Sequence, residues 1–149
     1  MNLVMEFYVD EYRKHTRDEI FKLREMKRDI VLFSYNDNKL KLKFRNNYAN
    51  WGDDYYVVDI TGWKFFFTIK NKPTDSDDNA VYKNDDANMS EATDGEATIT
   101  LEEDDTKDLL GNYLYSLKAK TEKGDFKTLC FGIITFQQEL GTREGLTGE

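Results

Sequence analysis

"DLLGNYLYSLKAKTEKGDFKTLCFGIITF", from Asp108 to Phe136, reads as a β-hairpin closed by a small polar turn. Tyr113, Tyr115, Leu117 and Ala119 make one side of its first strand apolar, while the other side is largely polar. A period of two is the pattern of a strand with one face buried and one in water. Cys130 falls in the second strand, where a small buried apolar residue is expected, and no histidine lies near it in sequence. As the single cysteine of the chain, it excludes an internal disulfide and a thiolate zinc site built from this chain alone.

Outward from the hairpin the same period recurs. "WKFFFTIK" places Trp63, Phe65, Phe67 and Ile69 on one face, the strongest core-strand signal in the chain. "KLKLKF" sets Leu40, Leu42 and Phe44 against three lysines, and with "IVLFSY" and the turn residues "NDN" it reads as a second hairpin. "YYVVDI" reads as a strand, "AVYK" as a short edge strand, and "ATITL" brings Ala97, Ile99 and Leu101 to one side. "EEDDTKDLL" is a polar link with room for one helical turn, where Asp105 and Thr106 supply oxygens suited to capping. Seven to eight short strands separated by turns, without alternating helices, predict a mainly β fold, an antiparallel β-sandwich over residues 30–140. Residues 141–149 form a glycine-containing tail.

Ahead of the sandwich, residues 1–29 read as an N-terminal α-helix. Met5 to Asp29 contains no proline or glycine and is rich in Glu, Lys, Arg, Leu and Met. Val9, Tyr12, Thr16, Leu23, Met26 and Ile30 recur at spacings near three and four, with Glu19 interrupting the stripe. Such a helix either packs along the domain or serves as an arm that docks on a partner through Val9, Tyr12, Leu23 and Met26.

Composition narrows the function. A net charge of −8 disfavours a nucleic-acid binder, because the surface would repel a polyanion. The basic cluster "YRKHTRDEIFKLREMKR" is interrupted by Asp18, Glu19 and Glu25 and reads as a solvated helix face. No stretch approaches the roughly 20 apolar residues of a membrane helix. The start of the chain lacks the basic and cleavage-site pattern of a signal peptide, so a soluble protein made in the cytoplasm is expected. His15 is the only histidine, too few for a serine triad or a multi-histidine metal site. Asp75, Asp77 and Asn79 have the one-three-five spacing of a calcium loop, but Ala80 stands where the loop turn needs glycine and Asp86 replaces the bidentate glutamate. That segment reads as a solvated loop, with calcium as the weaker reading. Nothing in the sequence points to an enzyme or a cofactor.

Three motifs occur in order. "DITGWKFFFTIKNKPTDSDDNAVYK" (Asp59–Lys83) turns into an aromatic strand followed by an acidic loop and a short strand. "ATITLEEDDTKDLLGNYLYSLKAKT" (Ala97–Thr121) carries Asp-Thr, Leu and Gly-x-Tyr-x-Tyr, and "GDFKTLCFGIITFQQEL" (Gly124–Leu140) closes the set. Together they resemble the N-terminal immunoglobulin-like domain of phage baseplate upper proteins and related tail proteins, over about residues 28–143. Gly62 and Trp63 stand at the entry turn of that pattern, Thr106 and Gly111 in its loop, and Tyr113 where a tyrosine corner would tie a loop between sheets. The resemblance implies a virion structural protein of tail, baseplate, adaptor or fibre anchor, assembled in the host cytoplasm with other virion proteins as a homo- or hetero-oligomer. A capsid decoration protein is an alternative, as is a carbohydrate-binding sandwich that stacks sugars on Trp51 and Tyr48 in the loop at residues 46–54.

Overall fold

The computed structural model describes residues 2–13, 20–23, 26–34, 37–46, 58–72 and 74–138. Two sheets face each other, and one short helix lies between strands. The first sheet contains β1 (Asn2–Arg13), β2 (Ile20–Leu23), β5 (Asn38–Asn46) and β8 (Glu96–Leu101), in the order β2-β1-β5-β8. The second contains β3 (Met26–Lys27), β4 (Ile30–Phe33), β6 (Lys64–Lys70), β7 (Tyr82–Asn84), β9 (Gly111–Lys120) and β10 (Phe126–Gln137). Its order is β3-β10-β9-β6-β7, with β4 also paired to β10. Helix α1 (Glu103–Thr106) lies on the connection from β8 to β9.

The arrangement is a β-sandwich: β10, β9, β6 and β7 lie side by side, facing a sheet in which β5 pairs with β8. The isolated bridge from Asn88 to Thr98 extends the first sheet by a single pair beyond β8. Alternation decides the interior. Leu40, Leu42 and Phe44 of β5, Phe65, Phe67 and Ile69 of β6, and Ala97, Ile99 and Leu101 of β8 are all buried. Across the interior Phe44 meets Trp63 edge-on at 5.4 Å and stacks on Phe65 at 5.6 Å between ring centroids. Such aromatic pairs add about 0.5–1.5 kcal/mol beyond the area they bury. The hairpin of β9 and β10 buries Tyr115, Leu117 and Ala119, with Tyr113 half-buried, on the expected side.

The N-terminal helix expected over residues 1–29 is corrected: apart from Arg28 and Asp29, the described residues of that segment are strands. β1 runs parallel to β5, matching Leu3 with Leu40, Met5 with Leu42 and Phe7 with Phe44. Met5 and Phe7 are buried while Val4 and Glu6, at the alternate positions, are exposed, and the rings of Phe7 and Phe44 stack at 5.2 Å. The stretch "LVMEFYV" alternates with period two, and its aromatic and β-branched residues fit a pleated, half-buried surface. That gain from cross-sheet burial outweighs a helix propensity of tenths of a kcal/mol per residue.

Two further expectations are corrected. β4 and β5 form no hairpin, because the intervening turn carries the chain from the second sheet to the first. The sandwich is also not purely antiparallel: β1 pairs with β5, and β3 and β4 with β10, in parallel. In "YYVVDI", residues 55–57 lie outside the described residues, and Val58 to Ile60 are buried or half-buried but irregular.

Between β3 and β4, Arg28 and Asp29 bulge over Gly132 of β10. A Cβ on Gly132 would stand 2.4 Å from the Arg28 carbonyl oxygen, so only glycine admits this approach. Gly95 (φ +74°) has the same role in the first sheet, where a Cβ would lie 2.7 Å from the Val58 carbonyl oxygen and 2.8 Å from that of Phe44.

Candidate functional site

The residues that the alternation turns away from the core differ between the two sheets. On the second sheet, β6 presents Phe66 and Thr68, β9 presents Leu114, Ser116 and Lys118, and β10 presents Phe131 and Ile133. A register shift between Thr128 and Cys130 buries the consecutive residues Leu129 and Cys130. The extra residue keeps Phe126 and Thr128, before the bulge, on the same outer face as Phe131 and Ile133 beyond it. Phe126, Val31, Ile133 and Phe131 are all exposed, at 61%, 45%, 40% and 37% respectively. The Phe66 and Phe126 rings lie 5.9 Å apart.

Two depressions of about 690 and 440 Å³ cross this face and share Thr68, Lys70 and Ser116 as walls, which makes one shallow trough. Lys27, Lys70, Lys83 and Lys118 line it on this face, and Asp85 is the one carboxylate among its described lining residues. Lys64 reaches Asp85 at 3.8 Å and lies 5.6 Å from the centre of the Phe66 ring, and Lys120 lies 5.3 Å from that of Phe126. The trough therefore has an apolar floor and a cationic rim, suited to side chains of another macromolecule.

On the first sheet the outer face is polar, and two of its cations, Lys41 and Arg45, are paired. Lys41 Nζ stands 3.0 Å from Glu96 Oε1 and 3.9 Å from Glu91 Oε2, and Arg45 reaches Glu96 at 3.8 Å. The hydrogen bond from Lys41 holds the Glu96 carboxyl below the usual carboxylate range, and the same bond raises the Lys41 ammonium.

Beneath the trough, the Tyr115 hydroxyl donates to the Arg28 carbonyl, and Cys130 Sγ lies 3.7 Å from that hydroxyl oxygen. Arg28 N–H donates to the Phe131 carbonyl at 2.9 Å, and Ile133 N–H to Asp29 Oδ1 at 3.0 Å. These bonds pin the β3–β4 bulge to β10. Burial pushes the Cys130 thiol up to about 11, so at neutral pH it is a packing group and not a nucleophile.

The motif residues sit at turns and loop ties. Asp59 Oδ1 accepts from Thr61 N–H at 2.9 Å and from Thr61 Oγ1 at 2.6 Å, and Gly62 (φ +84°) completes the turn into Trp63, which is buried. The helix cap belongs to Glu102 and Asp105: each side chain accepts from the other's backbone N–H. Thr106 is buried at the end of α1 and donates to the Glu103 carbonyl at 3.4 Å. Tyr113 accepts from Leu110 N–H at 3.4 Å, and its ring meets Phe136 edge-on at 6.0 Å, just after Gly111 (φ +93°).

Among the residues expected to contact a partner, Met26 is half-buried in β3, and Val9, Tyr12 and Leu23 lie in β1 and β2 instead of on a helix. Trp51, Tyr48 and His15 lie outside the described residues. Asp75 Oδ2 accepts from Lys72 N–H at 3.1 Å, and Asn79 sits in a short 3-10 turn. No group of three or more His, Cys, Asp or Glu that could hold a metal occurs among the described residues. Sequence reading missed the trough itself. Its signal was there in "FFF" and "FGII", where apolar residues occupy consecutive positions and so fall on both faces of a strand.

No family model matches the chain, and no curated protein does. Among solved structures it is similar to the N-terminal domain of phage TP901-1 ORF48, with 9% identity, a TM-score of 0.44 and coverage of 93% of this chain and 100% of that one. It is also similar to a Cu-containing nitrite reductase from Thermus scotoductus SA-01, with 13% identity, a TM-score of 0.37 and coverage of 99% and 30%. A third likeness is to the fibronectin(III)-like modules of Clostridium thermocellum CbhA, with 13% identity, a TM-score of 0.34 and coverage of 74% and 91%. At these scores no property of the three is carried over.

Proposed function

We propose that this chain is a non-enzymatic structural module of a phage particle, which joins other virion proteins through the outer face of its second sheet. The observation that carries the reading is the asymmetry of the sandwich. One outer face is apolar and aromatic with a lysine rim, and the other is polar, with Lys41 and Arg45 paired. Exposed apolar surface bordered by charge is the anatomy of a protein–protein contact. The ordered motifs from Asp59 to Leu140 supply the phage assignment, and their residues serve turns, loop ties and packing. Tail, baseplate, adaptor or fibre anchor, and head decoration, are positions such a module fits.

The test is incorporation. A tagged copy expressed in infected cells is expected to co-purify with assembled particles, and Phe131→Asp with Ile133→Asp to lower its occupancy at least about tenfold while leaving the fold intact. A protein that stays in the host cytoplasm and never enters particles contradicts the assignment.

A further inference from the structure

The lysine-rimmed trough indicates what fills it. Among the described residues four lysines, Lys27, Lys70, Lys83 and Lys118, stand with one aspartate on this face, a net of +3 on a chain whose total is −8, so the rest of the chain carries −11. Two copies meeting trough to trough would oppose lysine rims, and like charges brought together suppress an association. The occupant must bring carboxylates around an apolar anchor.

The chain carries such a group at the connection from β8 to β9. Glu102, Glu103, Asp104, Asp105 and Asp108 are exposed, and Leu110, 63% exposed, stands at the end of this acidic segment. The segment is held in shape before any partner arrives. Glu102 and Asp105 cap α1 reciprocally, Asp37 Oδ1 accepts from Glu103 N–H at 2.9 Å, and Leu109 is buried with its carbonyl bonded by the Ser34 hydroxyl. A preordered knob loses little conformational freedom on docking. It projects from the Gly111 end of β9, whereas Lys118 lies near the Lys120 end, where Phe126 of β10 pairs. Knob and trough are thus different surfaces of one molecule, and a contact between them is heterologous, building rings or filaments.

We infer that the trough on the second sheet receives the acidic β8–β9 knob of a second copy, with Leu110 on the aromatic floor and the carboxylates against Lys118 and Lys83. The inference rests on the structural-module reading above and specifies its partner.

Sedimentation and light scattering of the full chain test it. Mass is expected to rise with concentration without stopping at two copies, unless a ring closes, and to fall as salt screens the rim. A trough variant, Lys118→Glu with Lys83→Glu, and a knob variant, Leu110→Asp, which loses the apolar anchor and keeps the acidic charge, are each expected to associate at least about tenfold more weakly. Mixed in equal amounts, the trough variant's intact knob fills the knob variant's intact trough, and the mixture makes dimers that grow no further. Thermal unfolding matching the parent's shows that both variants fold. A parent that is monomeric at every attainable concentration, a parent that stops at symmetric dimers, or a mixture that fails to dimerise overturns the inference. A monomer that still enters particles overturns this contact and leaves the structural role standing. Assemblies that never enter particles do the reverse.

Discussion

The two outer faces of this sandwich are made by one rule and differ because of what the alternate positions hold. In "KLKLKF" the positions between the buried leucines are lysines, and Lys41 finds Glu91 and Glu96. In "WKFFFTIK" the position between the buried Phe65 and Phe67 is another phenylalanine, and across the sheet Phe126 comes to stand beside it. The first arrangement ties its central lysine, Lys41, to carboxylates of the same molecule. The second leaves apolar surface and a cationic rim turned outward, so the difference separates a solvated wall from a contact surface.

The comparison breaks first if the shared interior is disturbed. Phe44→Ala removes a ring that touches Phe7, Trp63 and Phe65, and a loss of about 3–5 kcal/mol of stability is expected in urea titration. Gly132→Ala drives a Cβ into the Arg28 carbonyl and is expected to cost about 2–3 kcal/mol or to lift β3 and β4 from β10. In the second case amide exchange would quicken at Ile133, whose N–H is held by Asp29.

A smaller effect sharpens it. Phe126→Ser on the trough is expected to change stability by no more than about 0.5 kcal/mol, because the ring is already mostly in water, and yet to weaken self-association. Sedimentation beside a urea titration separates the two responses.

The smallest effect belongs to the paired face. The Glu96 pKa is depressed in the folded state, so its contribution is present above the unfolded carboxylate range and is lost as pH falls through the folded value. The Lys41 pKa is raised, so its contribution is present below the ordinary ammonium value and is lost as pH rises through the folded one. Glu96→Gln is therefore expected to flatten the acid side of the urea-midpoint profile from the ordinary carboxylate value downward, below about pH 5, and to leave association unchanged. A change in association would mean that this face also takes part in contacts.

The readable parts of the fold were those where one face is buried and the other polar. β5, β6, β8 and the β9–β10 hairpin declared themselves because Leu, Phe and Ile alternate with Lys, Thr or Glu. β1 did not, because Val9 and Tyr12 also fit a helical spacing in a segment without proline or glycine, and only its parallel partner β5 selects the period of two. β4 and β5 were legible as strands but not as members of different sheets, since alternation says nothing of which sheet a strand joins. The trough was hidden for a related reason: consecutive apolar residues such as Phe65 and Phe66, or Ile133 and Ile134, mark both faces as apolar without saying whether a second layer covers the outer one. The bulge at Leu129–Cys130, which keeps Phe126 on that face, is a property of pairing with β9.

The central claim is that the second sheet's outer face becomes covered on assembly and the first sheet's does not. Two positions of nearly equal exposure, Ile133 at 40% and Val4 at 44%, lie on the two faces. Each is replaced in turn by cysteine, and maleimide labelling is followed on free protein and on assembled particles. Cys130, buried with its thiol pushed up to about 11, contributes only a slow background. The account predicts that Ile133→Cys labels readily in the free protein and is protected in particles, while Val4→Cys labels at the same rate in both. Protection of Val4→Cys with Ile133→Cys still reactive would contradict it.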